Sequence, residues 1–311
     1  MRIAVFGAGS VGGYFGGRLA QAGEEVIFIA RGEHLRVLQT QGLRVDSQQG
    51  DFIIQPALAV DDPGQVGRVD FVLVGVKAWQ VTDAAAALRP VVGPETGVVP
   101  LQNGVDAPAQ LSAVLGEACV LGGLCQISAL IAGPGHIRHV SLEPYIAFGE
   151  LDGRPSARVE RLKEAFERTE GVRVEIPPDI RAAMWRKFLF ISALSGVGAA
   201  ARAPVGVTRS LPETRRMLEK AIEEAYALAQ KRQIQLPADV VEQTLAFIDS
   251  LAPSVMASMQ RDIAAGRPSE LNAQNGAVVR MGVEDGISTP VSEFLYGCLL
   301  PQELKARGEI Q

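Results

Sequence analysis

Hydrophobic positions in the first half of the chain form short apolar runs that are separated by helical patterns. The runs are rich in β-branched residues, which is typical of strands buried on both faces of a parallel sheet. We predict strands at residues 3–6, 25–30, 69–76, 97–101, 120–131, 137–148 and 172–176, and a β-hairpin at residues 43–54. Helices are predicted after Gly12, at residues 33–41, after Lys77 and at residues 155–169. This alternation favours a doubly wound α/β domain.

The second half of the chain shows only helical spacing of its apolar residues. The double proline at Pro177 and Pro178 precedes this change and is typical of a domain boundary. We predict helices at residues 180–201, 212–233, 237–251, 254–265, 273–284 and 291–300. The first of these is expected to be kinked or broken at Gly196 and Gly198. Residues 178–311 are therefore predicted to form a C-terminal all-α domain for substrate binding or dimerisation.

A glycine-rich turn separates the first strand from the first helix. Its residues, with the spacing G-x-G-x-x-G, are Gly7, Ala8, Gly9, Ser10, Val11 and Gly12. The first glycine allows a sharp turn, the second leaves room for a pyrophosphate, and the third lets the helix pack closely on the sheet. The strand before the motif and the helix after it favour phosphate binding over a ligand-free tight turn. Residues 1–177 are thus predicted to be a Rossmann-type dinucleotide-binding domain.

Arg31 indicates which dinucleotide is bound. It follows the second strand, 19 residues after Gly12, where NAD-binding units carry an acidic residue for the ribose hydroxyls. A cation at this point suits a 2′-phosphate, so we predict NADP (NADPH) rather than NAD, and a flavin is disfavoured for the same reason. The alternative is a solvated arginine at the end of a strand.

Glycine or polar residues follow four of the predicted strands, at Gly7, Arg31, Lys77 and Asn103. Ligands of open parallel sheets bind at the carboxyl ends of the strands, so we expect these residues to line one crevice. Taken singly, Lys77 would be an ordinary loop lysine and Asn103 a turn residue before glycine. The row of four strand ends favours the functional interpretation.

Composition limits the class of protein further. The chain has 311 residues, of which 47% are hydrophobic and 21% charged, and a net charge of −5. This acidic balance disfavours nucleic-acid and membrane-surface partners. No apolar run is long enough to span a bilayer. The three cysteines lack C-x-x-C spacing, which predicts a reducing compartment, and we expect a cytoplasmic protein.

No metal site is expected either. His136 and His139 form an H-x-x-H pattern without a carboxylate or a third ligand. On a strand their side chains would point to opposite faces. We therefore interpret both histidines as structural.

Lys187 and Glu270 are the residues that could carry acid–base chemistry. Lys187 stands at the head of a very apolar helical stretch, where partial desolvation would lower its pKa toward neutrality. Such a lysine could give a proton to a carbonyl oxygen as hydride reaches the carbon. The alternatives are a lysine that extends its head group to solvent and, for Glu270, a first-turn glutamate that complements a helix dipole.

Seven segments, spread from residue 7 to residue 276, form a specific combination. They are GAGSVG at 7–12, Arg31, VKAWQ at 76–80, QNG at 102–104, WRKF at 185–188, SMQRD at 258–262 and SELNAQNG at 269–276. In this order, over almost the whole chain, they resemble the ketopantoate reductase (2-dehydropantoate 2-reductase) family. The resemblance implies a two-domain fold with the active site in the cleft, and NADPH-dependent reduction of a 2-oxo acid to a 2-hydroxy acid. The substrate would be the 2-dehydropantoate of pantothenate biosynthesis or a close relative.

The resemblance also assigns roles at matching positions. Lys187 would be the catalytic acid, Glu270 would hydrogen-bond in the same site, and Asn103 would orient cofactor and substrate. Ser258 would contact the substrate. The cofactor phosphate would be recognised by Arg31 and Lys77.

The chain departs from the family at two positions. The family typically carries asparagines four and eight residues after its catalytic lysine, on the same helical face. Here these positions are Ile191 and Ser195, which we expect to line the pocket beside the substrate. Isoleucine cannot hydrogen-bond a substrate hydroxyl, and a missing polar partner changes substrate preference strongly. The reaction type is thus better indicated than the identity of the 2-oxo acid.

Two other functions stay open at this point. A β-hydroxy-acid dehydrogenase-like enzyme would share the Rossmann domain, the helical domain and a catalytic lysine, although the QNG, WRK and SEL segments favour ketopantoate reductase. A non-catalytic NADP-sensing protein would explain the two missing asparagines. A homodimer also stays open, because helical domains with apolar ridges often dimerise.

Overall fold

The computed structural model describes residues 1–310, which form two compact units. One unit, here named the α/β unit, consists of Met1–Gln102 and Ala107–Ile180. The other, named the helical unit, consists of Asn103–Asp106 and the chain from Arg181 onward. The helical unit therefore includes four residues that lie within the first 177 positions of the sequence.

The α/β unit contains the strands. They are β1 (Arg2–Phe6), β2 (Glu25–Ile29), β3 (Leu43–Ser47), β4 (Phe52–Ile54), β5 (Leu58–Val60), β6 (Phe71–Val74), β7 (Gly97–Pro100), β8 (Leu121–Gly133), β9 (His136–Glu150) and β10 (Arg173–Glu175). Five of them form a parallel sheet in the order β5-β2-β1-β6-β7. Phe6 at the end of β1 pairs with Ile29 and Val74, so the neighbouring strands end at one edge.

A second sheet has the order β10-β9-β3-β4, and β8 pairs antiparallel with β9. The predicted hairpin at residues 43–54 is present as β3 and β4, but it lies in this second sheet rather than in the first. The sequence pattern does not predict β5, because three residues are too few to show a strand period.

Five helices belong to the α/β unit: α1 (Ser10–Gln21), α2 (Gly32–Gln41), α3 (Val81–Leu88), α4 (Ala107–Leu115) and α5 (Ala157–Glu167). Helix α1 packs against both sheets, and its glycines allow this. A Cβ atom on Gly16 would lie 2.6 Å from Val5 of the first sheet, and one on Gly17 would lie 2.8 Å from Phe52 of the second. Both distances are shorter than the separations that Cβ atoms show in real structures. Methyl groups at these positions would therefore push α1 away from the two sheets.

Seven α-helices form the described part of the helical unit, which ends at residue 310. They are α6 (Ile180–Ala201), α7 (Val205–Thr208), α8 (Pro212–Lys231), α9 (Val240–Ser250), α10 (Ser258–Ala264), α11 (Asn275–Asp285) and α12 (Pro290–Ala306). The apolar stripe predicted on α8 is buried at Leu218, Ala221, Ile222, Ala225, Leu228 and Ala229. It packs in one core cluster with apolar residues of α6 such as Phe188.

Helix α6 runs unbroken through Gly196 and Gly198, so the predicted break is wrong. The two glycines make room for amide side chains instead. A Cβ on Gly196 would lie 2.5 Å from Asn275 Nδ2, and one on Gly198 would lie 2.7 Å from Gln260 Oε1. Gln260 Nε2 donates to the carbonyl oxygens of Gly198 and Ala203, both at 2.9 Å.

The predicted fold class is confirmed: a Rossmann-type parallel sheet with helices is followed by an all-α region. Among residues 1–310, no helix combines the length and apolar character needed to cross a membrane. Within the same residues, no disulfide joins the three cysteines.

Candidate active site

The glycine-rich turn connects β1 to α1 at the carboxyl edge of the first sheet. Gly7 has a φ of +94°, which favours glycine. A Cβ there would also lie 2.8 Å from the backbone nitrogen of Val76. A Cβ on Gly12 would meet the carbonyl oxygen of Gly7. The turn is therefore folded tightly against the end of β6 and tolerates no added side chain at these two glycines.

Gly9, in contrast, faces open space. A Cβ on Gly9 would have only Ile131 Cδ1 near it, at 3.9 Å. The N–H groups in the first turn of a helix lack intrahelical acceptors. In α1, no side chain of the N-cap residue accepts from them either. A pyrophosphate would accept hydrogen bonds from these groups and would use the space that the missing Cβ leaves. Together with buried Ala8 and half-buried Ser10 and Val11, the turn fits a dinucleotide phosphate.

Two cations follow strands next to β1. Arg31 is exposed and directly precedes α2, with an extended backbone at φ −136°. Lys77 is exposed after β6, and its Nζ lies 5.9 Å from the centroid of the Trp79 ring. Because β2, β1 and β6 are parallel neighbours, the structure brings Gly7, Arg31 and Lys77 to one edge of the sheet.

His34, which no motif in the sequence indicates, supports the glycine-rich turn. The N–H of Gly135 donates to Nδ1 at 3.1 Å, and Nε2 lies 2.8 Å from the carbonyl oxygen of Ala8. Since Nδ1 is the acceptor, the ring proton belongs on Nε2, which donates to Ala8. The partner Gly135 is 101 residues away in sequence, so no local pattern could have revealed this bridge.

Gln102, in the QNG segment, holds the ends of two strands together. Its Nε2 donates to the carbonyl oxygens of Val74 and Val76, both at 2.8 Å. These bonds join the end of β7 to the end of β6. Gln102 therefore has a positioning role that the QNG motif alone does not indicate.

Lys187, Ile191 and Ser195 are spaced four residues apart on α6. Lys187 and Ile191 are half-buried, whereas Ser195 is fully buried. The hydroxyl of Ser195 has no hydrogen-bond partner within residues 1–310. Its contact with a substrate therefore stays a prediction.

Asn103 and Glu270 meet in the helical unit, although 167 positions separate them. Asn103 Nδ2 donates to Glu270 Oε2 at 3.0 Å. Glu270 is 7% exposed and stands directly before a single turn at Leu271–Ala273. It is a buried carboxylate that accepts a hydrogen bond from an amide, and the helical turn that follows it is only three residues long.

Further polar atoms are buried beside these residues in sequence. Asn275 Nδ2 donates to the carbonyl oxygen of Ser192 at 3.2 Å, but its Oδ1 has no partner among residues 1–310. Both amide atoms of Gln274 are also buried and unpartnered in this part of the chain. Buried polar atoms without a hydrogen-bond partner are rare in native proteins. Here three of them belong to Gln274 and Asn275, which follow the SEL residues closely in sequence.

Ser258 is the first residue of α10 and is half-buried. The structure shows no contact that assigns its role.

The two histidines on β9 have protein partners. His136 Nε2 lies 2.8 Å from Asp46 Oδ2, and the His139 ring nitrogens lie close to Ser47 Oγ and to the carbonyl oxygen of Leu142. Within residues 1–310, no group of three ligating side chains could hold a metal ion.

Two family models together match most of the chain. The model for "Ketopantoate reductase PanE/ApbA" matches residues 3–153, and that for "Ketopantoate reductase PanE/ApbA C terminal" matches residues 179–303.

Individual relatives extend over the same length. The chain is 30% identical to the "Uncharacterized oxidoreductase YkpB" of Bacillus subtilis, over 96% of this chain and 98% of the relative. It is 31% identical to the 2-dehydropantoate 2-reductase of Mesorhizobium japonicum, with 91% of each chain covered. The crystal structure of a PanE/ApbA family ketopantoate reductase from Ralstonia eutropha superposes with a TM-score of 0.89 at 31% identity, over 99% of this chain and 100% of that one.

Proposed function

Because the chain belongs to the ketopantoate reductase family, and is thus an oxidoreductase acting on a CH–OH group, we propose that it reduces a 2-oxo acid to a 2-hydroxy acid with NADPH. The substrate is 2-dehydropantoate or a close relative with a less polar tail. The contact between Asn103 and Glu270 carries this proposal. It brings together, inside one unit, two residues to which the family resemblance assigns the site.

The α/β unit would hold the cofactor, which supplies the hydride when it is bound. The N–H groups at the start of α1 would bind the pyrophosphate against Gly9, where the space in front of the backbone is open. Arg31 and Lys77 stand at the ends of the strands on either side of β1. Their positive charges would bind the 2′-phosphate that distinguishes NADPH from NADH.

The helical unit would supply the proton and the substrate contacts. As hydride reaches the carbonyl carbon, negative charge develops on the carbonyl oxygen, and the ammonium of Lys187 would donate a proton to it. The Glu270 carboxylate, fixed by Asn103 at 3.0 Å, would accept the hydrogen bond of the new hydroxyl. Ser258 would contact the substrate, and Ile191 would place an apolar surface beside its tail.

Two further parts of the proposal concern the cellular compartment and the oligomeric state. The odd number of cysteines and their lack of C-x-x-C spacing support a reducing compartment, and cytoplasmic localisation is part of the proposal. A homodimer is a prediction that sedimentation would test.

A substrate panel tests the proposed reaction. Protein is mixed with NADPH and a series of 2-oxo acids, and loss of the reduced-nicotinamide absorbance is followed. Turnover is expected with 2-oxo acids and not with 3-oxo acids, the class that a β-hydroxy-acid dehydrogenase would prefer. Tight NADPH binding without turnover of any acid would indicate a non-catalytic sensor and would overturn the proposal.

The role of Lys187 is tested by replacing it. Lys187→Ala should lower kcat by about 10²–10⁴-fold, because the proton donor is lost, and should leave the NADPH Kd unchanged. Arg186→Ala is the matched control, since Arg186 is an exposed cation one position earlier on α6. If Lys187→Ala keeps most of the turnover, Lys187 is a lysine that merely extends to solvent.

A further inference from the structure

A buried carboxylate on α12 holds the residue that precedes Glu270. Glu303 is 1% exposed, and the backbone N–H of Ser269 donates to its two carboxylate oxygens at 3.1 and 3.0 Å. The hydroxyl of Ser269, which is fully buried, donates to Oε2 at 2.5 Å. Three hydrogen bonds thus anchor one backbone position to one side chain.

Arg307, the residue that caps the end of α12, completes this arrangement. Its Nε donates to Glu303 Oε1 at 2.6 Å, and its Nη2 donates to the carbonyl oxygen of Ser269 at 3.1 Å. The buried charge of Glu303 is therefore paired, as a charge in this environment must be. Both the N–H and the carbonyl group of Ser269 are held by charged side chains.

The anchored backbone leads directly into Glu270. The carbonyl oxygen of Glu270 accepts the N–H groups of Ala273 and Gln274 at 3.1 and 3.0 Å, and its carboxylate accepts the Asn103 amide. The chain is thus fixed before and after the α-carbon of Glu270. A side chain attached to such a backbone has few ways to leave its position.

We propose that Glu303 and Arg307 are positioning residues that set the orientation of the Glu270 carboxylate, acting through the backbone of Ser269. The inference rests on the proposed function, because it needs Glu270 to hydrogen-bond the reacting oxygen. A small misplacement of a catalytic group lowers the rate much more than it lowers the affinity for a cofactor that is bound mainly through its phosphates. Loss of the anchor should therefore affect kcat and leave the NADPH Kd unchanged.

A double-mutant cycle between Glu303→Gln and Glu270→Gln tests the coupling. Glu303→Gln should lower kcat by roughly tenfold to a hundredfold, as expected for a displaced catalytic group. In the Glu270→Gln background the same change should lower kcat less than about twofold, because the group that it positions is already altered. An equal loss in both backgrounds would overturn the proposal and show that Glu303 only stabilises the fold.

Glu224→Gln is the matched control. Glu224 is also a buried carboxylate of the helical unit, and it accepts the N–H groups of Val291 and Ser292 at 2.7 and 2.9 Å and the Ser292 hydroxyl at 2.6 Å. It caps the beginning of α12, whereas Glu303 holds Ser269. Comparable destabilisation with unchanged kcat is expected for Glu224→Gln, and a matching loss of kcat would contradict the proposal.

Ser269→Ala keeps the test usable if Glu303→Gln does not fold. It removes the hydroxyl, which donates to Glu303 and accepts the N–H of Leu271 at 3.3 Å, and it keeps the backbone bonds to Glu303. A smaller kcat loss that again disappears in the Glu270→Gln background is therefore expected. Failure of the proposed function has a different signature: no 2-oxo acid is turned over by the unmodified protein, or Glu270→Gln alone leaves kcat unchanged. Either result removes the role of Glu303 as well.

Discussion

Alanine should have different effects at Gly9 and Gly12, the second and third glycines of the glycine-rich turn. At Gly9 the backbone has an ordinary φ of −73°, and an added Cβ would have only Ile131 near it, at 3.9 Å. Gly9→Ala should therefore change the free energy of unfolding by no more than about 1 kcal/mol, the cost of alanine at a helix N-cap. The methyl group would occupy the space proposed for the pyrophosphate. Overpacking of this kind costs about 1–3 kcal/mol, so NADPH should bind roughly fivefold to a hundredfold more weakly.

Gly12→Ala is the contrasting change. Its Cβ would meet the Gly7 carbonyl oxygen and lie 3.0 Å from Val5 Cγ1. Alanine gains about 1 kcal/mol over glycine in a helix, but the clash should outweigh this gain and lower the free energy of unfolding by about 1–2 kcal/mol. Gly297→Ala, on exposed α12 surface with no atom within 4 Å of the added Cβ, measures the propensity gain alone, about 0.5–1 kcal/mol.

Denaturant unfolding without cofactor and fluorescence titration with NADPH separate the two effects. Gly9→Ala should lose affinity and keep its stability, whereas Gly12→Ala should lose stability. NADPH binding by Gly9→Ala with the affinity of the unmodified protein would refute a pyrophosphate at this position. A loss of stability at Gly9 as large as that at Gly12 would refute the open space on which the prediction depends.

Two further predictions concern specificity. Arg31→Ala should reduce the preference for NADPH over NADH by about tenfold to a hundredfold, because a charge-assisted contact worth about 1.5–3 kcal/mol is lost. The control is Arg36→Ala on α2, the helix that Arg31 precedes, since Arg36 is exposed and paired with Glu33. Equal weakening of both cofactors would contradict the role of Arg31. Ile191→Asn should raise kcat/KM for ketopantoate relative to an alkyl 2-oxo acid by tenfold or more, because an unpaired buried hydroxyl costs about 1–3 kcal/mol. The change is made at Ile191 alone, because Ser195 is fully buried and a larger side chain there would overpack the core. Full efficiency of the unmodified protein with ketopantoate would show that Ile191 does not affect substrate preference.

Local patterns predict the carboxyl edge of the first sheet correctly. A buried strand, a glycine-rich turn and a helix are contiguous at residues 2–21, so short-range periodicity and glycine spacing suffice. Arg31 and Lys77 then follow the strands that pair with β1, because parallel order places successive strand ends at one edge.

Features that depend on distant partners escape such patterns. The break expected at Gly196 and Gly198 is absent, and side chains from other helices, Asn275 and Gln260, lie where Cβ atoms on these glycines would be. His34 bonds to Gly135 across 101 positions. Helix propensities give the free-energy cost of a glycine in a helix. They do not indicate which side chain from another helix occupies the space beside that glycine.

The buried state of Glu270 could not be predicted either. Its neighbours in sequence, Pro268 and Ser269, indicate the beginning of a helix, where an exposed glutamate is common. Its actual environment comes from Asn103 and, through Ser269, from Glu303. A carboxylate acquires such surroundings only when the chain has folded, so the sequence identifies the residue and not its environment.

The segment Asn103–Asp106 determines how this protein could be divided into fragments. Asn103 bonds to Glu270, and Asp106 pairs with Arg280, yet the segment is encoded far ahead of the rest of its unit. A polypeptide that ends at Ile180 would carry these residues without their partners, and one that begins at Arg181 would carry Glu270 without its amide donor. In a two-fragment version of the protein, the Asn103–Glu270 hydrogen bond would become intermolecular. Recovery of activity on mixing would then report the reassembly of the two polypeptides.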